Sequence, residues 1–143
     1  MRIEVFKPYH VDLLKAQGVQ DAQVTEVSLV LTSYASMVRP DGPAVTAFEA
    51  DRIMICGGIA KISAIQGICW ALMSPEAGKH MLFMHRAVQR FITSQPWKRL
   101  EATVAEGFIP GCRWVEMLGF EFEGKMRAYG PAGETHLRYG RYG

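Results

Sequence analysis

The chain has 143 residues, 49% of them hydrophobic and 21% charged, a size and balance that fit one compact domain over residues 1–143 and exclude a second full one. The formal net charge of +2 is too small to mark a nucleic-acid binder by its total alone. The uncharged stretch from Ile62 to Pro75 is broken by Ser63, Gln66 and Gly67 and falls short of the ~20 apolar residues that span a bilayer.

The segment Met1 to Lys7 alternates as a strand over residues 2 to 6 and carries charges of both signs without the apolar run of a secretory signal, so a cytoplasmic protein is expected. Pro8 suits a first helical turn, and Val11, Leu13 and Leu14 give that helix an apolar side up to Gly18. From Val24 to Val38 apolar residues recur every three or four positions and stop before Arg39-Pro40-Asp41-Gly42-Pro43, which predicts a second amphipathic helix.

After Pro43 the period changes. Val45, Ala47 and Glu49 alternate, Ile53 to Cys56 resumes an apolar run, and Gly57-Gly58 allows a bulge or a close backbone approach. Ile65 to Met73 then reads as a third strand, giving an antiparallel meander. Ser74-Pro75-Glu76 is a helix start, and Met81, Met84, Val88, Phe91 and Ile92 carry one apolar face until Gln95-Pro96. A strand over Leu100 to Ala105, a short helix from Ile109 to Leu118 stopped by Gly119, and two strands around the turn Gly130-Pro131-Ala132-Gly133 complete the chain. The order predicts an α+β layer fold.

Cys56, Cys69 and Cys112 are odd in number and widely spaced, and His10, His80, His85 and His136 are scattered. Buried free thiols are expected, with no metal site. The segment joining the third meander strand to the long helix carries more chemistry. A helix N-terminus offers unpaired N–H groups to an anion, and Gly78 permits close approach. From Ala77 to Leu100 there is no acidic residue, whereas Lys79, Arg86, Arg90, Lys98 and Arg99 are cationic. A phosphate-bearing ligand or a merely solvated cationic face both fit this distribution. The tail Leu137 to Gly143 interleaves Arg138 and Arg141 with Tyr139 and Tyr142. That pattern suits phosphates and bases or an exposed arginine face, and Glu121, Glu123 and Glu134 offset its charge, so a nucleic-acid partner is not expected.

Over nearly its whole length the chain resembles the GNAT acetyltransferase superfamily. The family's fourth strand is followed by a pyrophosphate loop of the form Gln/Arg-x-x-Gly-x-Gly/Ala. Pro75-Glu76-Ala77-Gly78-Lys79-His80 is the corresponding stretch, with Gly78 in common and Pro75 and His80 departing. Arg113-Trp114-Val115-Glu116-Met117-Leu118-Gly119-Phe120 is similar to the helix that ends in Leu-Gly-Phe before the sixth strand, with Val115 where many members carry a tyrosine acid. The resemblance implies a mainly antiparallel mixed sheet of about seven strands flanked by about four helices. It also implies acetyl-CoA as acyl donor and a primary amine of a small molecule or protein as acceptor, joined by direct attack on the thioester.

On that implication the backbone around Leu72 and Met73 orients the cofactor, and Ser74, Ala77, Gly78, Lys79 and His80 cradle its pyrophosphate. Glu49 or Glu106 is the base unless each is a solvated surface carboxylate, and Cys112 is a weak proton donor unless it is a core residue. The departures, with Gly57-Gly58 and Arg113-Trp114, look most like divergent GNAT-like proteins of bacteriophages and prophages, some relatives of which are internal virion proteins. They imply an alternative: a noncatalytic scaffold used in virion assembly or host interaction, with a second copy or another virion protein as partner.

Overall fold

In a computed structural model, residues 1–17, 43–130 and 132–142 are described; the helix expected over Val24 to Val38 lies outside them. Seven strands form one sheet: β1 (Arg2–Val5), β2 (Ala44–Glu49), β3 (Arg52–Lys61), β4 (Gln66–Met73), β5 (Arg99–Ala105), β6 (Glu121–Met126) and β7 (His136–Tyr142), in the order β1-β2-β3-β4-β5-β7-β6. The described helices are α1 (Tyr9–Gln17), a 3₁₀ turn over Pro75–His80, α2 (Met81–Thr93) and α3 (Ile109–Met117). The β1/β2, β2/β3, β5/β7 and β6/β7 pairs are antiparallel, and β4/β5 is parallel. This is the expected mainly antiparallel α+β class.

The chain divides into two compact units, Met1–Ala60 with Trp70–Met81, and Lys61–Cys69 with Leu82–Gly143. In the first, Leu14, Phe48, Ile53, Cys56, Ala60, Trp70 and Leu72 form the buried apolar cluster, with Phe6, Val11 and Ala44 against it. Apolar burial of this kind supplies ~25 cal/mol per Å² removed from water. The Phe6 and Trp70 rings meet edge to face at 5.1 Å, a favoured aromatic geometry.

The Gly57-Gly58 pair serves a close approach. β3 keeps its register through it, and the register irregularity falls earlier in β3, where Ala47 and Phe48 of β2 pair with Ile55 and Ile53 and Met54 is the extra residue. A Cβ on Gly58 would stand 2.5 Å from the Pro43 carbonyl oxygen and 2.6 Å from the Ala44 Cβ, and one on Gly57 would stand 3.0 Å from the Trp70 carbonyl oxygen. The neighbouring strands therefore sit where a side chain would be.

One polar chain is buried in the first unit. His10 Nδ1 accepts from the Lys7 backbone N–H at 3.1 Å and lies 2.9 Å from Thr46 Oγ1, which is 3.6 Å from Cys56 Sγ. Burial lowers the His10 pKa, and it pushes the Cys56 thiol up to about 11.

In the second unit the strand pattern is clean. β5 alternates half-buried and buried side chains along its whole length, as period-2 geometry requires. α3 ends in a Schellman arrangement. Gly119 adopts φ +92°, its N–H donates to the Glu116 carbonyl at 3.0 Å, and the Phe120 N–H donates to the Val115 carbonyl at 3.0 Å. That geometry is the physical content of the Leu118-Gly119-Phe120 pattern. Arg99 ties three strands together: both its terminal nitrogens donate to Glu123, its Nε donates to Glu101 at 3.0 Å, and the Tyr142 hydroxyl donates to Glu123 as well. A Cβ on Gly140 would meet the Glu123 carboxyl carbon at 2.8 Å, so glycine there leaves the carboxylate its place.

Candidate functional site

The segment after β4 is built by local rules. Ser74 is extended at φ −69°, ψ 147°, and its Oγ accepts from the Glu76 N–H at 3.2 Å, an N-cap contact that satisfies one orphan donor. Pro75 occupies the first helical position, where its missing N–H costs nothing. The Ser74 N–H donates to the Met54 carbonyl at 2.8 Å, and the Ala77 N–H to the Ser74 carbonyl at 2.9 Å, so the turn hangs from β3. The sequence predicts one helix from Ser74 onward. Instead Pro75–His80 winds as a 3₁₀ turn and the α-helix begins at Met81. Gly78 in the middle of this stretch costs an α-helix ~1 kcal/mol relative to alanine.

Arg52 at the start of β3 donates to both oxygens of Glu76, one of the two bonds being 2.9 Å. The hydrogen bonds from Arg52 hold the Glu76 carboxyl below the usual carboxylate range. The one acidic residue in the turn is thereby matched by a cation outside it. Ala77 and Leu72 are buried, Met73 and His80 are half-buried, and Gly78 and Lys79 are exposed. A Cβ added to Gly78 meets nothing within 4 Å, so the backbone there faces open space. His80 Nε2 lies 4.0 Å from Glu49 Oε2, which brings two of the sequence candidates side by side. The Leu72 and Ala77 side chains are committed to the core.

These features fit a pyrophosphate. Small residues leave the backbone approachable, Lys79 and His80 supply cationic or N–H donors, and Arg52 offsets the local carboxylate. Among the described residues no three His, Cys, Asp or Glu side chains cluster as a metal site, and no helix is long and apolar enough to cross a membrane.

The other candidates belong to the second unit. Glu106 follows β5, where its N–H donates to the Thr135 carbonyl at 3.0 Å and its carboxylate accepts from Lys125 Nζ at 2.7 Å. Cys112 on α3 is buried and hydrogen-bonds the buried Tyr139, whose pKa is pushed up by burial first and then by that bond. Val115 is half-buried and has no titratable group. Of the tail, Tyr139 is in the core, Arg141 Nε donates to the Leu118 carbonyl at 3.2 Å, and Tyr142 is engaged with Glu123. Arg86 and Arg90 line a surface depression with Leu82, Phe83 and Gln89.

Arg52, His85 and His136 have partners that the sequence alone did not assign: Glu76, Trp114 and Glu134. The Trp114 indole N–H donates to His85 Nδ1 at 3.3 Å, which leaves the proton of the neutral imidazole on Nε2. No spacing announces this contact, because 29 residues separate the partners. Arg52 opens β3, and only the returning chain delivers Glu76 to it.

No family model and no curated protein matches the sequence. Solved structures do. The chain is similar to an N-acetyltransferase from Staphylococcus aureus Mu50 at 8% identity and TM-score 0.70, over 99% of this chain and 96% of that one. It is similar to the ribosomal-protein-S5-alanine acetyltransferase of Vibrio fischeri at 14% identity and TM-score 0.69, over 98% and 91%. A variant spermidine N-acetyltransferase from Vibrio cholerae matches at 12% identity and TM-score 0.68, over 99% and 95%. The fold is GNAT-like.

Proposed function

We propose that the chain binds acetyl-CoA through the turn after β4 and transfers the acetyl group to a primary amine of a small molecule or protein. The observation that carries this reading is the turn itself: Ser74 and Arg52 fix it, and the backbone at Gly78 opens on free space. The likeness to N-acetyltransferase folds over 98–99% of the chain supports it. Acetyl-CoA, when bound, supplies an acetyl group activated as a thioester.

The chain's own residues then have distinct tasks. The backbone from Leu72 to Ser74 orients the cofactor, Lys79 and His80 neutralise phosphate charge at the exposed rim, and Ala77 and Gly78 keep the approach clear. Glu49 is a base candidate for the attacking amine. His80, 4.0 Å away, is within reach to share a proton with it through one water. Glu106 is a second base candidate whose carboxylate must first leave Lys125. Cys112 is a weak proton donor held by Tyr139. Amine-dependent release of CoA thiol from acetyl-CoA, measured over a panel of primary amines, tests the reading. Release above the acceptor-free rate, diminished in Gly78→Glu, is expected; no amine-dependent release over the whole panel contradicts it.

A second reading rests on Val115, an aliphatic side chain where the family's usual acid stands. The chain is then a noncatalytic scaffold, of bacteriophage or prophage origin, used in virion assembly or host interaction, with a second copy or another virion protein as partner. CoA binding without turnover on any amine favours it.

A further inference from the structure

Among the described residues β1 is an outer strand of the sheet, paired on one side with β2. Its register against β2 runs without a shift from Arg2 opposite Phe48 to Val5 opposite Val45, whereas β6, the strand at the other edge, slips between Phe122 and Gly124. A regular free edge presents N–H and carbonyl groups that can template a further strand.

One hydrogen bond identifies those groups. The Phe6 N–H donates to the Ala44 carbonyl at 3.1 Å, and Ala44 stands opposite Phe6 when the β1/β2 register is continued. Hydrogen-bonded and non-hydrogen-bonded pairs alternate along an antiparallel ladder. Glu4 and Arg2 therefore also turn their backbone groups to β2, and Met1, Ile3 and Val5 turn theirs outward. The far side of β2 agrees: the Ile59 N–H donates to the Pro43 carbonyl at 2.9 Å, which assigns Pro43 to β3 and Ala44 to β1, as the alternation requires.

The side chains divide in the same way. Met1, Ile3 and Val5 share one face and are 39%, 48% and 73% exposed, so the apolar face of the strand is uncovered. Arg2 and Glu4 share the other face. Arg2 Nε donates to Glu4 at 3.2 Å and its guanidinium lies 4.6 Å from the Phe48 ring centroid, yet both charged residues remain exposed.

This strand is its own complement when reversed. With Ile3 laid antiparallel to Ile3 of a second copy, Arg2 faces the second copy's Glu4, Glu4 faces its Arg2, and Met1 faces its Val5. Each pair is then opposite in charge or apolar on both sides. The same register puts the outward backbone groups in bonding positions: the Ile3 N–H of each copy donates to the Ile3 carbonyl of the other, and each Val5 N–H to the other's Met1 carbonyl. A slip of one residue sets Ile3 against Arg2 or Glu4 and loses both matches. A slip of two sets Arg2 against Arg2 or Glu4 against Glu4.

We infer that β1 is a homodimer interface, pairing with β1 of a second copy about a two-fold axis that passes between the two Ile3 residues. The edge is matched to this chain because one register satisfies charge, apolar face and backbone polarity together. A two-fold pairing uses the edge up, so assembly through it stops at two copies. An edge this short is small beside the ~1,200–2,000 Å² of a standard interface, so the pair is weak and reversible. The inference does not rest on the acetyltransferase reading.

The test is sedimentation equilibrium of the full chain, with no tag ahead of Met1, from ~10 μM to ~1 mM. A reversible monomer–dimer equilibrium without larger species is expected. Arg2→Glu and Glu4→Arg each set like charges opposite one another, and each should weaken the dimer about tenfold or more. An equimolar mixture of the two variants brings opposite charges together again and should form a mixed dimer about as tight as that of wild type. Ile3→Pro removes an outward N–H that β2 does not use, so it should abolish the dimer while the monomer melts close to wild type. A wild type that stays monomeric at ~1 mM overturns the inference. Species larger than the dimer overturn it as well, and so do charge variants that dimerise like wild type or a mixture no tighter than its components. The mixing experiment decides even if Ile3→Pro does not fold, because Arg2 and Glu4 are exposed side chains.

Discussion

Arg52 grips both carboxylate oxygens of Glu76 across 24 residues of sequence, and through that clasp the first residue of β3 fixes the turn proposed to cradle a pyrophosphate. Both side chains are solvent-exposed, so the clasp contributes little to global stability. Its effect is on the turn. Glu76→Gln and Arg52→Ala are expected to leave the melting temperature nearly unchanged and to weaken CoA binding several-fold, measured by calorimetric titration. Unchanged CoA affinity in both variants would show that the turn needs no such anchor.

Glycine positions separate packing from function. Gly58→Ala places a methyl 2.5 Å from a backbone carbonyl, and such overpacking costs about 1–3 kcal/mol, a fall of roughly 3–10 °C in melting temperature for a chain of this size. Gly78→Ala meets nothing within 4 Å and should melt with the wild type while binding CoA less tightly. Thermal denaturation of the two variants side by side measures the contrast.

Buried His10 makes stability depend on pH near neutrality. Its folded pKa is lowered from the ordinary 6.5, chiefly by burial and further by Lys7, against an opposing pull from Glu4. The unfolded chain therefore binds the proton more readily. The stabilisation is complete above about pH 6.5 and is lost as pH falls below it. Melting temperatures followed from ~pH 8 to ~pH 5 should decline over the lower half of that range, and His10→Gln should flatten the decline.

A second window belongs to Glu123. Bonds from Arg99 and then from Tyr142 lower its carboxyl from 4.5 to about 2. Its contribution is present above pH 4.5 and disappears between 4.5 and about 2. Acid unfolding of wild type against Glu123→Gln should differ in this window and converge below it.

Much of the fold was legible because the signals were local. Hydrophobic period, Pro8, Ser74-Pro75 and Leu118-Gly119-Phe120 each point to a boundary that the structure bears, and β5 follows its alternation residue by residue. Gly57-Gly58 announced a close approach, though the sequence left open whether a bulge stood there. Local signals ran out where a residue's role depends on chain returning from afar. The split of the long helix into a 3₁₀ turn and α2 reflects Gly78 and the tether from Ser74 to Met54. Cys112 is held by Tyr139, and His136 by Glu134 in a turn that reads from sequence only as glycine and proline. Of the loop candidates, Gly78 and Lys79 are exposed and His80 is half-buried, whereas the Leu72 and Ala77 side chains are buried in the core.

The most direct measurement is the shift in melting temperature on titrating acetyl-CoA into wild type and into Gly78→Glu, a change the open space at Gly78 lets the fold accept. A ligand bound only by the folded state stabilises it by RT ln(1 + [L]/Kd), about 2.7 kcal/mol at a hundredfold excess over Kd. The account predicts a saturable upward shift in wild type that is much reduced in the variant. No shift in wild type at millimolar acetyl-CoA, or an equal shift in the two proteins, would contradict it.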